Sequence, residues 1–338
     1  MKKFLLQFLC IYLLPVAIYT VFVYLADPLK CFKPYKEYYK NSFVSPNREN
    51  VALQLFEQSH NRAVINSFIL GNSCSHAFKV KNWEKYLPER SRGFHLDAFR
   101  ETIYGILKKL EYLDRNGNKI EHVLIVLDES IFSKKFKSYM YVIPQQLDPE
   151  NSTFYTEHLK VLTSVKFVSA YAYYSIYRKN TGLTAEYKFT ENQPVSDNSN
   201  GDLYYTLDNE IKSDSVAFFE RLQKENWVKR INLIDLNGND SYEGITKQNI
   251  LYLNRIKEIL KKHKTDVKII INPLYNQKAM PIEMLSILEK IFEKQNIYNF
   301  SGVNAITNDY RNFYDGIHYR PLVATQMLEN IYQNKPFN

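Results

Sequence analysis

The chain lacks the glycine-rich signatures of nucleotide sites. Neither Gly-x-Gly-x-x-Gly nor the P-loop pattern occurs in its 338 residues, which argues against dinucleotide and nucleoside-triphosphate binding. Cysteine is scarce: Cys10, Cys31 and Cys74 are too few for a disulfide framework. No Cys/His cluster has metal-ligand spacing, so neither a metal nor another cofactor is expected. No internal repeat is evident. The net charge of +8 is spread along the chain. There is no basic stripe and no nucleic-acid motif, so nucleic acid is not an expected partner.

What is present begins with an apolar run. Phe4 to Ala26 spans 23 residues without a charge, preceded by Lys2 and Lys3. At the helical rise it is long enough to cross a bilayer. Its end, Tyr24-Leu25-Ala26-Asp27-Pro28, is a poor cleavage site, so residues 1–26 read as an uncleaved transmembrane anchor. Pro15 sits mid-span, where a kink is tolerated in membranes. Lys2 and Lys3 favour a cytoplasmic N-terminus, and Lys30, Lys33, Lys36 and Lys40 the reverse. A lone first span followed by a long domain usually exports that domain, however, so it is expected to be periplasmic or extracellular. Residues 27–62 read as a juxtamembrane stalk with a helix from Asn50 to Gln58.

An α/β rhythm fills residues 63–338. Strands are expected at Ala63 to Leu70, Gly93 to Leu96, His122 to Leu127 and Val267 to Ile271. Helices are expected from Ala98 to Leu113, with Asp97 as its cap, from Lys247 to Lys262, from Ile282 to Lys294 and from Pro321 to Tyr332. This alternation predicts a mainly parallel sheet covered on both faces. Residues 131–245 break the rhythm and read as a helical insertion, with a helix from Phe154 to Tyr177 and a turn at Leu236-Asn237-Gly238-Asn239.

Two short stretches carry the chemistry. In SFILGNSCSHAF (Ser67 to Phe78) an apolar strand stops at Gly71-Asn72-Ser73. Glycine permits the tight turn, and the carboxyl edge of an open sheet is where ligands bind. Ser73 is therefore the candidate nucleophile. In NFYDGIHYRPL (Asn312 to Leu322), Asp315 precedes His318 by three positions. A serine hydroxyl needs a base, and the base needs a carboxylate to set its tautomer. His318 and Asp315 can supply both. Cys74 is a rival nucleophile that reads as packing. His76 and His95 read as surface or satisfied histidines.

Gly71-Asn72-Ser73 and Asp315-x-x-His318 resemble the SGNH, or GDSL-like, hydrolase superfamily, with LIVLDESIF (Leu124 to Phe132) as further support. The look is to its membrane-anchored branch, the DltD-like and AlgJ/AlgX-like proteins of cell-surface polysaccharide acylation. The resemblance implies a three-layer, SGNH/flavodoxin-like sandwich behind one N-terminal transmembrane helix. It implies a serine esterase or O-acyltransferase working on acyl esters of a cell-surface polysaccharide or other acylated polymer. It also implies a polytopic membrane acyltransferase as partner. The pattern departs from the superfamily at its oxyanion positions. Leu96-Asp97-Ala98 stands where a glycine is usual, and Asp128-Glu129-Ser130 where an asparagine is usual. Asn72 and Asn272 are candidate replacement donors, and Asp128 a neighbour of the site. The departure leaves open an alternative, a non-catalytic glycan-binding or assembly protein.

Overall fold

The computed structural model describes residues 3, 7–59, 64–132, 139–151, 153–182, 187, 189–190, 193–224 and 244–337. Seven strands lie among them: β1 (Ser67–Gly71), β2 (Gly93–His95), β3 (His122–Leu127), β4 (Val195–Ser196), β5 (Leu203–Tyr204), β6 (Asp266–Ile271) and β7 (Ile297–Asn299). Five form the central sheet in the order β2-β1-β3-β6-β7, with every neighbouring pair parallel. β4 and β5 make a separate antiparallel pair. With that pair set aside, the second strand precedes the first and the rest follow in sequence. Such doubly wound sheets reverse direction between the first and third strands, which opens a crevice at their carboxyl ends.

The strands are apolar almost throughout because both faces are covered. Phe68, Leu70, Val123, Ile125, Leu127, Ile269 and Ile271 point to one face. There they meet the helices Arg48–Gln58, Ile103–Arg115 and Lys247–His263. Ile69, Leu124, Val126 and Ile270 point to the other, against Trp83 and the helix Pro321–Gln333. Each such Leu or Ile contributes about 1.5–3 kcal/mol when fully buried.

Gly71 ends β1 for a steric reason. A Cβ there would lie 2.5 Å from the Val126 carbonyl oxygen and 3.0 Å from Ser75 Cβ. The backbone of β3 cannot yield as a flexible side chain would. Gly71→Ala is expected to cost about 1–3 kcal/mol in urea denaturation and to displace Ser73.

Several elements differ from expectation. The helix predicted from Ala98 begins at Ile103, capped by Thr102, whose hydroxyl accepts from the Gly105 N–H. Asp97 does not cap it, because its carboxylate is held by Arg48 and His76. The helix predicted from Phe154 to Tyr177 is two helices, Thr153–Leu162 and Val165–Tyr177, broken where Ser164 takes an extended backbone. The turn at 236–239 lies outside the described residues. The stretch read as a stalk sends its helix, Arg48–Gln58, into the core, with Val51, Leu53, Leu55 and Phe56 buried. Lys109 ties it down, 2.8 Å from Glu49 and hydrogen-bonded to Glu101.

The apolar N-terminal stretch is a π-helical turn, Leu9–Leu13, followed by the α-helix Leu14–Ala26. Pro15 lies in the first turn of that helix. Having no N–H, it cannot continue a ladder from the preceding residues. Among the described residues no helix is long and apolar enough to cross a membrane. Residues 4–6 of the run lie outside the described set.

Candidate active site

β1 delivers its end to the crevice between β1 and β3. Asn72 follows in extended backbone and caps the 3-10 turn Ser73–Ala77, its side-chain oxygen accepting from the Cys74 N–H. This places Ser73 at the head of the turn, half-buried. The partner residues come from a closed loop near the other end of the chain. Phe313 and Tyr319 pair as an antiparallel bridge, and the Tyr314 N–H donates to the His318 carbonyl at 2.8 Å. Asp315 sits at the tip, and its Oδ1 accepts from the backbone N–H groups of Ile317 (2.7 Å) and His318 (2.8 Å).

The two stretches meet. Ser73 Oγ lies 2.8 Å from His318 Nε2, and His318 Nδ1 lies 2.8 Å from Asp315 Oδ2. Both distances are within hydrogen-bond reach for proton transfer. Burial works to raise the Asp315 carboxyl, but the hydrogen bonds and charge of His318 outweigh it and hold the group below its usual value. A carboxylate facing Nδ1 calls for a proton there, which leaves Nε2 free to accept from Ser73.

Asp128 and the two asparagines have other partners. Asp128 Oδ1 accepts from the N–H and hydroxyl of Ser130, while Oδ2 accepts from Asn72 Nδ2 at 2.7 Å and Asn272 Nδ2 at 3.4 Å. Asn272 is fully buried, and its oxygen accepts from the Tyr319 hydroxyl. The asparagine amides expected as oxyanion donors thus stitch the ends of β1, β3 and β6 together through Asp128. The backbone N–H of Ser73 is the better donor. It is held by the Phe99 carbonyl at a long 3.4 Å, a bond that a substrate oxygen can replace. Glu129 pairs with Lys278 at 2.7 Å. Cys74 is buried, and burial pushes its thiol well up, so it packs rather than attacks.

Sequence reasoning missed the polar layer beneath Ser73. Arg48, from the supposed stalk, grips Asp97 through Nε at 2.9 Å and donates Nη2 to the Gly201 carbonyl. Asp97 Oδ2 meets His76 Nε2, and His76 Nδ1 meets the Tyr205 hydroxyl at 3.1 Å. His76 and His95 are therefore satisfied, but buried rather than at the surface. Ser75, His95 and Asp202 form a second serine–histidine–aspartate arrangement, at 2.9 and 3.2 Å. All three are fully buried. The Ser75 hydroxyl also donates to the Asn72 carbonyl at 2.7 Å, so this arrangement is structural. Asp202 and Tyr205 come from the insertion. The one local signal was Asn200-Gly201: Gly201 has φ +79°, and a Cβ there would lie 2.6 Å from the His95 carbonyl.

This layer is pH-sensitive. Burial pushes the His76 imidazole down to about 4, while Asp97 works to raise it. The unfolded chain takes up that proton near pH 6.5. Between pH 6.5 and about 4 the unfolded state binds more protons, so stability falls as pH drops through that window. The loss is on the order of 3 kcal/mol at its limit. Urea midpoints measured from pH 7 to pH 4.5 are expected to fall, and His76→Asn is expected to flatten the slope.

Two cavities meet at Ser73 and His318. One, of about 400 Å³, runs past Ala77, Lys79, Tyr205, Leu207 and Tyr314. The other, of about 820 Å³ and more open to solvent, is bordered by Arg100, Glu129, Ser130, Tyr141 and Asn276. Among the described residues no His/Cys/Asp/Glu group could hold a metal ion. No protein-family model matches this chain, and no curated protein matches it either.

Proposed function

We propose that the protein is a membrane-anchored serine esterase or O-acyltransferase of the SGNH type, acting outside the cytoplasm on acyl esters of a cell-surface glycan or similar polymer. The observation that carries this reading is the Ser73–His318–Asp315 chain, closed at 2.8 Å on both sides and open to two cavities. In the reaction, His318 Nε2 takes the Ser73 proton as Oγ bonds to the ester carbon. The ester C–O bond breaks, and the leaving alcohol receives that proton. Water or a sugar hydroxyl then attacks the acyl-serine by the reverse sequence, freeing Ser73. The larger cavity, with Arg100, Ser130 and Asn276 at its border, suits a polyol acceptor, and a polytopic membrane acyltransferase is the natural acyl source.

The N-terminal helix supports the membrane part. Ile11, Ile18 and Leu25 are each more than 60% exposed, with Leu14, Val16, Val21 and Phe22 more than half exposed. A contiguous apolar surface of this size in water is unfavourable, and a lipid phase removes the cost. The pair of helices 153–177 packs beside the same helix, with the Tyr19 hydroxyl on the Leu162 carbonyl, so that pair would lie at the bilayer surface.

A fluorophosphonate probe tests the reading. The full-length protein in detergent is expected to gain one adduct at Ser73, and Ser73→Ala to gain none. No adduct on the wild type, or equal labelling of the variant, would favour a non-catalytic glycan-binding or assembly protein. That alternative draws on the commitment of Asn72 and Asn272 to Asp128.

A further inference from the structure

We propose that the 400 Å³ chamber beside Ser73 receives the acyl group, and that this group is an apolar chain of several carbons rather than an acetyl. The proposal rests on the serine reading above and goes further by naming the acyl class. The argument starts from the walls. Four tyrosines stand among them, and the hydroxyls of Tyr205 and Tyr319 are already engaged by hydrogen-bond partners. Tyr205 gives its hydroxyl to His76 Nδ1 yet remains 39% exposed, so its ring is the part that faces outward. The Tyr319 hydroxyl donates to Asn272 Oδ1, and Tyr314 lies beside Asp208, which with burial pushes its phenol up. Ala77, Leu207 and Pro321 complete the lining with carbon.

The charged groups at the chamber are occupied as well. Lys79 Nζ donates to the carbonyls of His76 and Leu203 and lies 4.7 Å over the Tyr204 ring. Asp208 faces Arg320 Nε at 3.4 Å. A polar group entering this space would give up water and find its partners taken, which is unfavourable. An alkyl chain gives up only unfavourable hydration. Size points the same way. A space of about 400 Å³ is comparable to whole small-molecule sites of roughly 300–1,000 Å³, and an acetyl would leave most of it empty. The larger cavity, bordered by Arg100, Ser130 and Asn276, is left for the alcohol part of the ester.

The test is the chain-length order of acylation in the full-length protein in detergent, with p-nitrophenyl acetate, butyrate and octanoate. The burst of p-nitrophenolate is read, so slow release of the acyl group does not hide the result. Octanoate is expected to acylate Ser73 faster than acetate by about tenfold or more. Leu207→Trp, which fills the chamber, is expected to reverse the order. An acetate rate equal to or above octanoate, with fluorophosphonate labelling of Ser73 intact, overturns the acyl assignment and leaves the serine reading standing. Loss of that labelling overturns both. The wild-type order decides even if the tryptophan variant fails to fold.

Discussion

Asp315→Asn is expected to lower kcat by roughly 1,000- to 10,000-fold with little change in KM. The reason is the tautomer. In the wild type Asp315 Oδ1 accepts from two backbone N–H groups while Oδ2 faces His318 Nδ1. Asparagine can keep the first pair of bonds through its oxygen, so the loop closes as before. Its amide then presents hydrogens to Nδ1. The imidazole responds by carrying its proton on Nε2, and it can no longer accept from Ser73. Ser73→Ala removes the attacking atom and is expected to cost at least as much. The measurement is steady-state hydrolysis of a p-nitrophenyl ester, with circular dichroism as the fold control. An asparagine variant within tenfold of wild type would show that Asp315 does not set the tautomer of His318.

The sheet was readable because its signals are local. β1 and β3 are apolar runs, β6 is one interrupted only by Lys268, and their parallel arrangement follows from the helices between them. Ser73 and the Asp315/His318 loop were readable for a similar reason. Each is a turn with its chemistry packed into a few residues. What escaped was set by distant contact. Asp97 has the chemistry of a helix cap, but Arg48, 49 positions earlier, claims it. His95 pairs with an aspartate 107 positions later. No window of sequence contains both members of such a pair. The insertion was visible only as a break in rhythm, so Tyr205 and Leu207 at its end gave no sign of lining a chamber. Pro15 was legible as a kink in the apolar run, but not the π-helical turn that precedes it.

Arg48→Met is expected to destabilise the protein by about 3–5 kcal/mol, the usual cost of removing one partner from a buried ion pair. Arg48 and Asp97 have no solvent exposure, and desolvation opposes the pair. The guanidinium holds the Asp97 carboxyl well below its usual value against that desolvation. Without Arg48 the carboxylate is left beside a neutral imidazole. It then protonates or draws in water, and either outcome loosens the bond to His76. The disturbance continues to Tyr205, because the Tyr205 hydroxyl is fixed by His76 Nδ1. The stability loss should therefore come with a weaker preference for the longer ester. Arg48→Met combined with Asp97→Leu separates charge from packing. Removing both charges is expected to recover part of the lost stability, since apolar replacements of buried ion pairs are often neutral or better. The ester preference is not expected to return, because His76 still lacks its acceptor and Tyr205 its fixed position. Urea midpoints and the octanoate-to-acetate ratio, measured on the same three proteins, test both halves. A double variant less stable than Arg48→Met alone would show that hydrogen bonding by Asp97, rather than its charge, holds this layer together.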